Sequence, residues 1–394
     1  MVTMKKLLLF VFIFVFLFQA CDNSNEADEN EFVLKGRLTQ SKGEMVYLDE
    51  LGVDDNYPID SVKLDDNGEF FFKKKIKEPG FYLLKTADDN FVTLLLDRGE
   101  TAELNGNIKQ LAESYTVFGS KGSEQILAIN QHTRNNYAKL DSLALFWDKN
   151  KYNENKDFLR DSLDSVAMII IVDQQHFLME FIDGNTSSLA SLIAIYQVFG
   201  RKTMFDEYEH FDLFKEVRDS LYEKYPNNAH QLSFKERVDE VEISLKEKAE
   251  REKLLQPGKE APDIELQGLW KEKVKLSDYA GHPILLYFWS SWNATSRLHN
   301  QTVKYLQKLY ENKGLVVFAV SLDTNKDLWK NAVELDKLNW VHASDLKYWE
   351  SPAVKTYNVE KIPHIVLIDR EGNIFARNIS IDDLAENLRN LFRK

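Results

Sequence analysis

Sulfur is almost missing from this 394-residue chain, whose one cysteine is Cys21. A single thiol cannot build an intramolecular disulfide framework, a cysteine-rich zinc site or a Cys-x-x-Cys redox pair, so the count excludes all three. Basic blocks are missing too: 50 Lys and Arg stand against 63 Asp and Glu, a formal charge of −13. Without a basic footprint for phosphates, nucleic acid is excluded as a partner. The longest apolar run, residues 7–18, is too short for a comfortable membrane span. What the chain does have is apolar bulk. With 44% hydrophobic and 12% aromatic residues it can fill sizeable cores, which excludes wholesale disorder. Its length predicts two or three domains.

Lys5 and Lys6 precede the apolar run, and Gln19-Ala20-Cys21 closes it, the layout of a secretory signal with a small residue at the cleavage point. Ala20-Cys21 resembles the bacterial lipobox. That resemblance implies removal of residues 1–20 and a lipid on Cys21 that ties the chain to a membrane. The other readings of Cys21 are a free or buried thiol, or an ordinary signal with a chance cysteine. Processing would remove two lysines, taking the formal charge from −13 to −15, and would leave no free thiol. Residues 21–31 are polar and acidic with no apolar anchor, which predicts a flexible tether. Acidic residues just after the cysteine resemble the surface-export signals of Bacteroidota lipoproteins. The implied place is the bacterial cell envelope, as an outer-membrane lipoprotein facing the periplasm or the cell surface, with both faces open.

Three regions follow. Over 32–120 short branched and aromatic runs (32–38, 45–48, 60–64, 69–73, 81–84, 91–96) alternate with turn signals such as Asp65-Asp66-Asn67-Gly68 and Asp97-Arg98-Gly99. This pattern predicts an antiparallel β-sandwich or barrel of six or seven strands, with Phe70, Phe71, Phe72, Phe81 and Tyr82 in its core. Over 121–255 the apolar period becomes helical, near 123–148, 155–182, 187–199, 211–225 and 233–255. The last of these is crowded with Glu and Lys, a solvated stalk with i,i+4 ion pairs. His176 and His210 stand alone and form no constellation. Over 256–394 buried strands at 283–289 and 315–322 alternate with helices at 295–312 and 326–338. A hairpin at 364–377 and a helix at 381–392 follow. The fold class is therefore multi-domain: a β-sandwich or barrel, a helical middle, and a C-terminal α/β domain.

The C-terminal motifs are specific. Gly258-Lys259-Glu260-Ala261-Pro262-Asp263, the approach from Leu276 to Trp289, Ser290-Ser291-Trp292, and Tyr357-Asn358-Val359-Glu360-Lys361-Ile362-Pro363-His364 together resemble the thioredoxin fold. The branch is that of the peroxiredoxins (AhpC/TSA) and the TlpA/ResA-like proteins. The resemblance covers about a third of the chain and implies a cis-proline at Pro363. The preceding β-region loosely resembles a β-domain of unknown function found before such domains in Bacteroidota lipoproteins, on the strength of Asp60-Ser61 and Phe118-Gly119-Ser120. The family exchanges disulfides through two cysteines at a helix N-terminus, where backbone N–H groups lower the first thiol's pKa. Here Asn293 stands in the nucleophile's place and Ser296 in the resolving one, and Tyr287 stands where relatives carry a buried acid. An amide is no nucleophile, and a helix dipole worth about 0.3–2 kcal/mol does not activate a serine hydroxyl.

A Ser–His pair from Ser296 with His299 or His364 lacks an orienting acid and an oxyanion hole. A metal set of Asn293, His299 and His364 lacks carboxylate support. The expectation is therefore no catalytic residue, no metal and no cofactor. Three functions remain in play. The first is a binding or scaffolding module in which Trp292, Asn293, Ser296, Ile362, Pro363 and His364 form an exposed strip for an envelope protein or peptide. The second is a redox enzyme of the oxidoreductase or peroxiredoxin family with a displaced cysteine. The third is a purely structural envelope lipoprotein.

Overall fold

Phe70 and Phe72 leave their strand on one side and Phe71 on the other, because side chains alternate with a period of two. In the computed structural model, which describes residues 26–87, 90–270 and 273–393, the first pair is buried and Phe71 is 39% exposed. Residues 1–20, Cys21 and the start of the tether lie outside the described residues. Two compact units divide at Val241 and Glu242.

The first unit opens with strands β1 (Glu31–Thr39), β2 (Met45–Leu51), β3 (Asn56–Lys63), β4 (Glu69–Lys75), β5 (Gly80–Thr86), β6 (Phe91–Leu96) and β7 (Thr101–Asn107). A helical turn, α1 (Leu111–Ser114), and strand β8 (Thr116–Phe118) complete the β-region. They form two four-stranded sheets, ordered β4-β1-β7-β8 and β3-β2-β5-β6. Phe32, Leu34 and Leu104 from one meet Leu48, Leu84 and Leu94 from the other in a shared core. All pairings are antiparallel except β1 with β7, which run parallel with Gly36 opposite Leu104. A Cβ on Gly36 would lie 1.6 Å from the Leu104 carbonyl oxygen, so this close pairing admits glycine alone.

Helices α2 (Lys121–Asn150), α3 (Lys156–Asp183) and α4 (Ala190–Ile195) follow, then a short ribbon β9 (Val198–Phe199) and β10 (Lys202–Thr203), helix α5 (Phe211–Lys224) and helix α6 (Ala229–Leu254). The helical middle packs on the sandwich: Phe81 and Leu95 share a core with Ile129, Leu178, Ile195 and Val217. Between α2 and α3 the side chains of Asn136 and Gln174 are fully buried yet satisfied. The Asn136 amide donates to Gln174 Oε1 at 3.0 Å, and the Gln174 amide donates to Thr133 Oγ1 at 3.0 Å and Gln197 Oε1 at 2.6 Å.

The second unit carries β11 (Glu265–Gly268), β12 (Val274–Lys275), β13 (Ile284–Trp289), α7 (Ala294–Tyr310), β14 (Val316–Ser321), α8 (Lys326–Asp336), β15 (Val341–Ser344), α9 (Pro352–Thr356), β16 (His364–Ile368), β17 (Ile374–Arg377) and α10 (Ile381–Leu391). The seven strands make one sheet, ordered β12-β11-β15-β14-β13-β16-β17. Strand β13 is central and buried at all six positions, which is why it is an unbroken apolar run. Ile284, Leu286 and Phe288 enter one core; Leu285, Tyr287 and Trp289 enter the other, beneath α7, α8 and α10. The architecture is thus a β-rich region, a helical middle and a C-terminal thioredoxin-like domain. Its sheet gains β11, β12 and β15 beyond the strands foreseen.

Candidate functional site

Strand β13 delivers the chain to the N-terminus of α7, where Asn293 and Ser296 stand. The connecting loop is anchored by Asp323, 2% exposed, whose carboxylate accepts the Ser291 N–H at 3.0 Å and the Ser321 hydroxyl at 2.6 Å. The first turn of α7 is clamped by a two-pronged pair from Arg297 to Asp336, at 2.6 and 2.7 Å. Asp336 holds the Arg297 guanidinium above its ordinary pKa.

Asn293 is the N-cap of α7: its Oδ1 accepts the Ser296 N–H at 2.7 Å. One acceptor site of that side-chain oxygen is therefore used inside the fold. Ser296 is fully buried, and its hydroxyl has no hydrogen-bond partner among the described residues. Its backbone carbonyl accepts the hydroxyl of the equally buried Tyr287 at 3.1 Å. Burial pushes the Tyr287 phenol far above its ordinary pKa, so it holds its proton throughout the working range. Trp292 is 50% exposed and its ring lies 5.6 Å from that of Tyr348.

The Ile362–Pro363 peptide bond is cis, as the motif implied. This loop, the first turn of α7 and the connection from β17 to α10 enclose a cleft of about 770 Å³. Ile362, Pro363 and His364 line it together with Thr295, His299, Asn378, Ser380 and Asp382. Ile362 packs partly buried against the core, and no turn or loop backbone hydrogen bond engages it among the described residues. Glu252 and Arg377, ion-paired at 2.6 Å, form one wall.

His364 corrects the picture of an exposed strip. It opens the buried strand β16, is 6% exposed, and its Nε2 has no partner among the described residues. Burial, with Arg377 nearby, pushes its imidazole down to about 4. His299 shares the cleft; its Nδ1 is buried and unpartnered, and burial lowers its pKa against the opposing charge of Asp382. Trp292, Asn293 and Ser296 do not line this cleft. The strip therefore divides in two: a cis-proline cleft, and a capped helix start with Trp292 turned toward Tyr348. Thr295, Ser380 and Asp382 were not foreseen. The one sequence signal near them is Ser380, which caps α10 by accepting the Asp383 N–H at 3.1 Å.

Among the described residues no three His, Asp or Glu side chains converge as metal ligands. A second cavity of about 650 Å³, on the sheet of β1, β4 and β7, is lined by Lys35, Arg37, Glu69 and Glu103 and has no Ser, Thr, Cys or His in its lining.

Residues 257–377 match the AhpC/TSA family, and residues 32–126 match a domain of unknown function, DUF4369. Thiol-disulfide oxidoreductase ResA of Bacillus thuringiensis is 28% identical over 144 residues, 36% of this chain and 81% of that protein. Thioredoxin-like protein YneN of Bacillus subtilis is 31% identical over 123 residues, 30% of this chain and 69% of that protein. A solved thiol-disulfide oxidoreductase from Bacteroides fragilis is 31% identical, spans 34% of this chain and 99% of its own, and superposes with a TM-score of 0.32. Through its C-terminal domain the chain belongs to the thioredoxin-like AhpC/TSA family.

Proposed function

We propose that this domain has kept the family's polypeptide-binding geometry and dropped its redox chemistry. In this reading the chain is a lipid-anchored protein of the bacterial envelope, tethered through Cys21, that holds an extended protein or peptide segment beside the cis-proline loop. One observation carries the loss of chemistry: Asn293, in the nucleophile's place, is engaged as a helix cap by the Ser296 N–H. The sole cysteine stands at position 21, in the tether. Binding is supported by the Ile362 main chain, which no turn or loop backbone bond engages among the described residues, and by the cleft that it lines.

The test uses the full-length protein with a photo-crosslinking residue at position 362. Capture of an envelope polypeptide, lost on Pro363→Ala, is expected; equal capture in both sinks the binding reading. Palmitate labelling that disappears in Cys21→Ala is the expected result for the anchor. A second reading is favoured by the relatives, several of which are thiol-disulfide oxidoreductases. It needs an additional thiol donated by another protein. Insulin reduction by the chain together with a dithiol protein, faster than by that dithiol protein alone, would establish it and remove the first.

A further inference from the structure

Helix α3 buries one stripe, Ile170, Gln174, Leu178 and Ile182, against its own unit. Its opposite face is apolar as well: Phe158 is 77% exposed, Ile169 66% and Val172 55%, with Val166 and Met168 flanking them. Val166 to Val172 is an unbroken run of seven apolar residues, so this stretch is hydrophobic all round, a pattern that in water implies a cover. The hairpin also projects. The last buried residue of α2 is Asn136 and the first of α3 is Ile170, and of the apolar side chains between them only the partly buried Leu140 and Leu143 pack against the core.

We propose that a second copy of this chain covers this face, the two α3 helices pairing antiparallel about a two-fold axis at Ile169. The exposed side chains named offer roughly 600 Å² per copy, and two copies about 1,200 Å², the lower edge of a stable interface. Charge selects the direction. About Ile169, antiparallel pairing sets Val166 against Val172 of the other copy, Phe158 against Glu180 and Asp161 beside His176, while Asp173 stays engaged by Asn136 of its own copy; parallel pairing stacks Asp161 on Asp161. By length and composition α3 could also cross a bilayer. However, its inner stripe is committed to the unit's core. Asp161, Asp164, Asp173 and Glu180 give it an acidic character that anionic headgroups repel.

The experiment is sedimentation equilibrium of full-length protein in density-matched detergent micelles. Twice the chain mass is expected at about 10 µM, and a single mass for Ile169→Asp with an unchanged circular dichroism spectrum. Mild oxidation should link Ile169→Cys into dimers but not His176→Cys, which faces position 162 across the axis; wild type is the control for Cys21. A monomeric wild type, a dimer that survives Ile169→Asp, linkage through both cysteines, or a label at 169 quenched by lipid-borne quenchers would each overturn the proposal.

Discussion

The backbone N–H of Ser296 donates to Oδ1 of Asn293 across 2.7 Å, closing the first turn of α7. Thiol sulfur accepts hydrogen bonds weakly, so a cysteine at 293 would leave that N–H poorly satisfied. Asparagine is among the strongest N-caps, and here it fixes the start of α7. Asn293→Ala should destabilise the C-terminal domain by about 1 kcal/mol, while Asn293→Asp should be neutral or stabilising because a carboxylate suits the helix N-terminus. Urea denaturation followed by tryptophan fluorescence reads both. An unchanged midpoint for the alanine variant would show that the cap contributes nothing.

Ser296 presents the opposite situation, a fully buried hydroxyl without a partner among the described residues. Such a group is destabilising by about 1–3 kcal/mol relative to one that is satisfied or absent. Ser296→Ala should therefore raise the unfolding midpoint by the equivalent of about 1 kcal/mol, and Ser296→Cys should do the same. A drop in both variants would refute this account of the hydroxyl.

His342 and His364 are 3% and 6% exposed, and burial pushes each imidazole from 6.5 down to about 4. Between those values the unfolded chain binds protons that the folded one refuses, so stability is complete above pH 6.5 and falls as the pH drops toward 4. The loss is on the order of 3 kcal/mol per histidine. Thermal melts between pH 7 and pH 4.5 should show a steep decline, made shallower by His342→Leu. Parallel curves for the two proteins would remove His342 from the account.

Gly36 tests the first unit. Its missing side chain lets β1 lie against β7, and a Cβ would strike the Leu104 carbonyl. Gly36→Ala should cost more than about 3 kcal/mol and leave the β-region open to proteolysis, with the C-terminal domain still folded. A variant as protease-resistant as wild type would mean that the two strands can move apart.

Much of this was legible in the residues. The run from Ile284 to Trp289 could only be a strand buried on both faces, and the Ile362-Pro363-His364 motif carried its cis bond with it. Two kinds of feature were not legible. Strand β7 holds Glu103, Asn105, Gly106 and Asn107, too polar to stand out, and its parallel pairing with β1 depends on contacts some 70 residues apart. Strand β15 hides for the same reason, as Val341-His342-Ala343-Ser344 has no clear apolar alternation. At the site, Thr295, Ser380 and Asp382 acquire meaning only when three separate segments fold around one cleft. His364 looked like a polar surface residue, but β16 begins there and draws it inside.

The cap at Asn293 has a consequence for the chain's surroundings. A cysteine pair at this position exists in two covalent forms, and the helix start of such a protein reports the electron balance around it. Amide and hydroxyl have one form each. Under the proposed function, the cleft beside Pro363 keeps the same shape in reducing and oxidising media alike, and its grip is set by concentration and not by potential.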